Sequence, residues 1–142
     1  MKKIILFCFS ILLFSCDTDP DDHAPVLTKV VIAPTQAMID AGIDETEFDI
    51  YDYIRFHYTV TDTKKDYDKA VISIMDGDGE IIEKREDIST ASGVDSYGVT
   101  RTYFPGKFSI GSWSISIYYL DKAGNKSKTV IKHFVVLEEL NK

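Results

Sequence analysis

Across residues 53–62 the side chains alternate without a break. Ile54, Phe56, Tyr58 and Val60 take one side of the chain, and Tyr53, Arg55, His57, Thr59 and Thr61 take the other. A period of two over this length describes a strand with one buried face, whereas an amphipathic helix repeats its apolar residues at three and four. Residues 112–120 do the same, with Trp113, Ile115, Ile117 and Tyr119 set against serines and Tyr118. Half-buried strands must cover their apolar face with a second layer, so these two segments point to an all-β sandwich.

The rest of the chain supplies partners for them. Residues 26–33 form a β-branched run stopped by Pro34, and residues 69–75, 80–86, 98–104 and 128–137 read as further strands. Asp76-Gly77-Asp78-Gly79 and Asp121-Lys122-Ala123-Gly124-Asn125 are turn sequences, because Gly and Asn tolerate positive φ. In residues 35–50, Gln36 to Ile39 can make a helical turn, and Asp44, Glu45, Glu47 and Asp49 read as an acidic loop. Seven short antiparallel strands at this spacing predict an immunoglobulin-like β-sandwich, and eight Tyr with eight Phe suit its interior.

The segment Gly111-Ser112-Trp113-Ser114-Ile115-Ser116-Ile117, followed by Leu120-Asp121-Lys122-Ala123-Gly124-Asn125-Lys126-Ser127, resembles the ending of bacterial Ig-like domains. The resemblance implies that these residues form the last two strands and their hairpin. Small Ig-like lipoproteins of unknown function are the most similar overall, and such a fold brings no function with it.

The N-terminus carries an address. Residues 1–16 read MKKIILFCFSILLFSC: Lys2 and Lys3 are followed by an apolar run from Ile4 to Phe14, then Ser15-Cys16. This is the layout of a secretory signal peptide, and the run falls short of the roughly 20 residues needed to span a bilayer. Leu13-Phe14-Ser15-Cys16 resembles the lipobox of bacterial lipoproteins, departing at Phe14, where a small residue is more usual. The resemblance implies lipid attachment at Cys16 and cleavage before it. Stable anchoring of this kind takes more than one acyl chain.

The expected organisation is therefore a signal peptide at 1–15, a lipidated cysteine with a flexible acidic tether at 16–25, and an Ig-like domain at 26–142. Cys8 leaves with the signal peptide, so neither a disulfide nor a thiolate zinc site is available to the mature chain. Asp17, Asp19, Asp21 and Asp22 give the tether too little apolar surface to fold. An acidic run after such a cysteine resembles a surface-export signal in some Gram-negative lineages, while aspartate there resembles an inner-membrane retention signal in others. The expectation is the outer membrane, with surface exposure as one outcome.

Removing residues 1–15 takes away two of the 16 basic residues and none of the 23 acidic ones, leaving a net charge of −9. That excess argues against nucleic acid as a partner, since phosphate rewards positive patches. The three histidines, His23, His57 and His133, show neither a His-x-x-His spacing nor a Ser–His–Asp order, so no enzyme is expected.

Two sets of candidates remain. Asp76, Asp78 and Glu80 alternate as calcium ligands can, although Ile81 stands where an EF-hand needs glycine and a tight turn needs no metal. Tyr67 and Tyr97 fall in expected loops and Tyr118 faces outward, which makes them candidates for ligand contact. Ig ordering would place the tether at the end bearing loops 62–68 and 121–126, and the acids of 44–49 and 76–80 at the far tip. The expected function is a non-catalytic, lipid-anchored envelope module that binds a protein or glycan or serves as an accessory subunit. The alternative is a structural subunit of a fimbria-like surface assembly that pairs through its edge strands.

Overall fold

In the computed structural model, residues 23–138 are described, so the expected signal peptide, Cys16 and most of the expected tether lie outside the described residues. Eight strands and one short helix follow in the order β1 (Val26–Ala33), α1 (Gln36–Ala41), β2 (Glu47–Asp49), β3 (Ile54–Thr61), β4 (Tyr67–Asp76), β5 (Ile81–Ile88), β6 (Ser96–Tyr103), β7 (Gly111–Asp121) and β8 (Val130–Leu137). They make two sheets, β1-β3-β6 and β2-β8-β7-β4-β5. The chain is an all-β, immunoglobulin-like sandwich. Among the described residues no helix is long and apolar enough to cross a membrane.

The alternation read from the sequence becomes the core. Ile54, Phe56, Tyr58 and Val60 are buried from the three-stranded sheet, and Ile72, Ile74, Ile115, Ile117, Tyr119, Phe134 and Val136 meet them from the other. Two aromatic groups fill the ends of this interior. Phe48, Phe108 and Phe134 pack edge-to-face with Tyr103 and Trp113 at one end, and Tyr67, Tyr97 and Tyr119 form an edge-to-face trio at the other. Edge-to-face rings place the positive rim of one against the negative face of the next.

The predicted acidic loop is corrected by an eighth strand. Glu47–Asp49 pairs in parallel with the end of β8, so the sandwich is not wholly antiparallel. The chain reaches it by leaving β1 through α1, capped by the Thr35 hydroxyl at Met38 N and closed by Gly42 at φ 72°. Asp44 then clamps the crossing from one sheet to the other. Its carboxylate accepts from the Ile32 N–H at 2.9 Å and from Lys132 Nζ at 2.6 Å. On the outer face of β1, Ile39 of α1 packs with Val31 and Ala33 in a second small core.

Strand register settles the two ends of the molecule. Val26 pairs with Thr61 and Tyr67 with Asp121, so the chain enters beside the 62–66 and 122–125 loops. Asp76 pairs with Trp113 and Gly111 with Val136 at the opposite end, which carries the 77–80 turn, the 50–53 loop and the 104–110 loop.

Candidate functional site

The end away from the chain entry is the tip, and it carries exposed rings. A tight turn at 49–52 is held by Asp49 Oδ1 accepting from Tyr51 N and Asp52 Oδ2 accepting from Asp49 N, both at 2.9 Å. This turn lifts Tyr51 outward, where it is 75% exposed. A backbone bond from Gly106 N to Ile50 O ties the turn to the 104–107 turn, on which Phe104 is 70% exposed. Tyr53 joins them: its ring meets Phe104 edge-on at 5.8 Å between centroids, and the Arg55 guanidinium lies over it at 5.6 Å. The Arg55 guanidinium is itself held by the Pro34 carbonyl. Tyr51, Tyr53 and Phe104 are thus exposed rings at one end of the sandwich, with the Arg55 cation over Tyr53.

The expected calcium ligands also lie at the tip, and the structure gives them a different task. Asp76 Oδ1 accepts from Asp78 N at 3.0 Å and from Glu80 N at 2.9 Å, which closes the β4–β5 hairpin. Gly79 takes φ 83° in that turn. Asp78 and Glu80 are exposed, and the three carboxylates are not gathered for a common ion.

A gathered acidic group sits instead at the base, where the chain enters. Asp62 follows β3, Asp66 precedes β4 and Asp121 ends β7, and one carboxylate oxygen from each lies within 4.8 Å of the others. Asp62 and Asp121 are each 1% exposed. Asp62 Oδ1 accepts from Lys64 N at 2.9 Å, and Asp121 accepts from the Asn125 backbone N–H and side-chain amide at 2.7 and 2.8 Å. Asp62 Oδ2 and Asp66 Oδ1 are buried without a hydrogen-bond partner. Burial first, and then the nearby Asp121 and Asp62 carboxylates, raise the Asp66 carboxyl above its ordinary range. The chain thus has an acidic group able to hold a metal ion. Sequence reading missed it because its members are spread over sixty residues; the shared end expected for loops 62–68 and 121–126 was the available signal.

The three tyrosines expected as contact residues lie elsewhere. Tyr67 is no loop residue: it starts β4, is 1% exposed, and its hydroxyl donates to Asp95 O at 2.7 Å while accepting from Asp62 N at 3.1 Å. Tyr97 belongs to β6, where its hydroxyl bonds that of Tyr119 across the sandwich. Burial before all else pushes the Tyr119 phenol up, and the Tyr97 partnership adds to it. Tyr118 faces outward as expected but is half-buried under the Lys126 ammonium, 3.9 Å from its ring centre. For Tyr67 and Tyr97 the cause is ring packing across the two sheets, which local sequence does not display.

His57 Nδ1 and Nε2 meet the hydroxyls of Thr100 and Thr59 at 2.9 and 3.1 Å, a strand residue's ordinary surroundings. Beside the chain entry, Pro25, Val26, Leu27, Lys126 and Val130 line an open, largely apolar groove of about 550 Å³.

No family model matches the sequence, and no curated protein does. Solved structures similar to this chain include the CARDB domain of a Pyrococcus furiosus protein, at 13% identity and a TM-score of 0.47, covering 82% of this chain and 99% of that one. A Niemann-Pick type C2 protein from Japanese carpenter ant is similar at 11% identity and a TM-score of 0.48, covering 80% and 93%. The same CARDB domain in complex with di-metal ions is similar at 10% identity and a TM-score of 0.42, covering 80% and 90%. None of these likenesses carries a ligand or an activity over to this chain.

Proposed function

We propose that the chain is a non-catalytic module, held to the cell envelope by lipid on Cys16 and placed at the outer membrane, that offers its aromatic tip to a protein or glycan partner. The observation that carries this reading is the grouping of Tyr51, Tyr53 and Phe104 at the end opposite the chain entry. Exposed tyrosine and phenylalanine supply contact area at little conformational cost, and they stand where a tether would leave them facing away from the membrane. Exposed rings carried by loops at one end of the domain fit recognition of a partner.

Two measurements test it. Cys16→Ser should move the protein from the membrane fraction to the soluble fraction; unchanged partition would remove the anchor. A glycan array and a surface-protein binding screen should then compare the parent with Tyr51→Ser/Phe104→Ser. Partners bound equally well by both would remove the tip from the reading.

A second reading rests on β5. It is an edge strand of the five-stranded sheet, and Ile81, Ile82 and Ile88 are exposed on it beside charged neighbours. An unpaired edge with apolar side chains is a template for strand addition, as a surface assembly would use. Assembly that is abolished by Ile82→Lys and spared by Phe104→Ser would favour this second reading over the first.

A further inference from the structure

We propose that Asp62, Asp66 and Asp121 hold one divalent cation, calcium by the chemistry of their donors, and that the ion ties the two sheets together at the end where the chain enters.

The placement comes from three elements. β3 of the three-stranded sheet runs directly into Asp62, β4 of the five-stranded sheet begins just after Asp66, and β7 closes on Asp121. Backbone pairing joins strands only within each sheet, so these carboxylates are among the groups that meet across the gap between sheets. Their oxygens converge to within 4.8 Å. Two of the three residues are 1% exposed, which removes the water that would otherwise screen such a gathering of negative charge.

The hydrogen bonding points the same way. A buried carboxylate oxygen ordinarily has a donor, because leaving it without one is expensive. Here Asp62 Oδ2 and Asp66 Oδ1 have none, although donors serve the other Asp62 oxygen and both oxygens of Asp121. Lys64 N serves Asp62 Oδ1, and Asn125 serves both oxygens of Asp121. The neighbouring Lys65, held at φ 58°, sends its ammonium to Asp95, 2.8 Å away. The loops thus orient three acids toward one point and leave two oxygens there to be satisfied by something else.

An all-oxygen donor set selects a hard cation over zinc or copper. Magnesium demands near-octahedral geometry, whereas calcium accepts irregular carboxylate sets with six to eight oxygens, some from water. Irregular loops from two sheets suit calcium. The ion would sit one residue beyond Thr61, the partner of Val26, and so beside the point where the N-terminal segment joins the domain. A proton shared between Asp62 and Asp66 is the competing way to satisfy the same two oxygens, and the experiment separates the two.

The purified full chain, stripped with EDTA, is titrated with calcium and then magnesium chloride while thermal unfolding is followed. Terbium emission sensitised by Tyr67, whose hydroxyl contacts Asp62 N, is read in parallel. Extracellular calcium modules bind near 10⁻⁴–10⁻³ M, so about 1 mM calcium should favour the folded state by up to about tenfold and raise the melting temperature by a few degrees. Asp66→Asn should lose both the shift and the emission, yet still melt cooperatively in EDTA; Asp78→Asn, at the tip, should keep both. Should Asp66→Asn not fold, the parent titrations decide alone. A parent insensitive to calcium in both measurements means a shared proton and overturns the proposal. So does a calcium shift that survives Asp66→Asn or vanishes in Asp78→Asn.

Discussion

Asp87 of β5 and Arg101 of β6 join the two sheets through a 2.7 Å hydrogen bond from Arg101 Nε to Asp87 Oδ2. The two strands share no backbone pairing, since β5 closes one sheet and β6 the other. The carboxylate is almost wholly buried, with its side chain 4% exposed, and Arg85 supplies its second partner at 3.0 Å. This edge of the sandwich is therefore closed by charge-assisted hydrogen bonds where the core groups of both sheets run out.

Arg101→Ala should destabilise the domain by about 2 kcal/mol, because it leaves Asp87 buried with one partner of two. Arg101→Lys should recover little, since an ammonium lacks the planar geometry that reaches Oδ2 from β6. Urea unfolding midpoints check both variants. An unchanged midpoint in Arg101→Ala would mean Arg85 alone satisfies the carboxylate.

The Tyr103 hydroxyl makes the opposite prediction. It is buried without a hydrogen-bond partner, and burial pushes its phenol up to about 12. Tyr103→Phe removes the unsatisfied group while keeping the ring packed on Phe108. Stability should be unchanged or rise by about 1 kcal/mol. A loss of more than about 1 kcal/mol would show that the hydroxyl has a partner.

Large core residues should rank by burial. Phe134 is 2% exposed and meets both Phe48 and Phe108, so Phe134→Ala should lose about 3–5 kcal/mol. Trp113 lies on the inward face as its alternation predicts, but it is only partly buried, with Nε1 donating to Ser109 O at 2.9 Å. Trp113→Ala should therefore lose less, about 2–3 kcal/mol. Chemical denaturation of the two variants gives the order directly.

His57 gives the domain an acid-sensitive strand. Burial, and then Lys29 of β1, lower its pKa below 6.5, while Asp40 of α1 partly opposes them; the Thr59 and Thr100 hydroxyls are its neutral neighbours. The unfolded chain then binds the proton more readily, so this contribution is fully present above about pH 6.5 and is lost as pH falls through the lowered value. His57→Gln should flatten the fall in melting temperature below about pH 6.5 and leave a constant difference from the parent above it. Parallel curves for the two proteins at all pH values would exclude this role.

By itself the sequence determined the fold class, most of the strands and the inward face of β3 and β7, because a period of two is a local property that needs no knowledge of the partner strand. It determined the turns at 76–80 and 121–125 for the same reason: positive-φ glycines announce them within a few residues. The N-terminal address expected at residues 1–16 is likewise a local pattern, and it lies outside the described residues. What only the tertiary structure decided were the relationships between distant segments. Glu47–Asp49 is a strand solely because the end of β8 offers it a partner, and Phe48 was its one apolar cue. Tyr67 lies between two aspartates and looks exposed in sequence, yet Tyr97 and Tyr119 enclose its ring. Asp62, Asp66 and Asp121 become one group only when two sheets stack, while Tyr53 meets Phe104 only when two loops share an end. Local periodicity specifies which way a side chain points, but charge gathering and ring clustering depend on distances across the sandwich, which are set by how the layers pack.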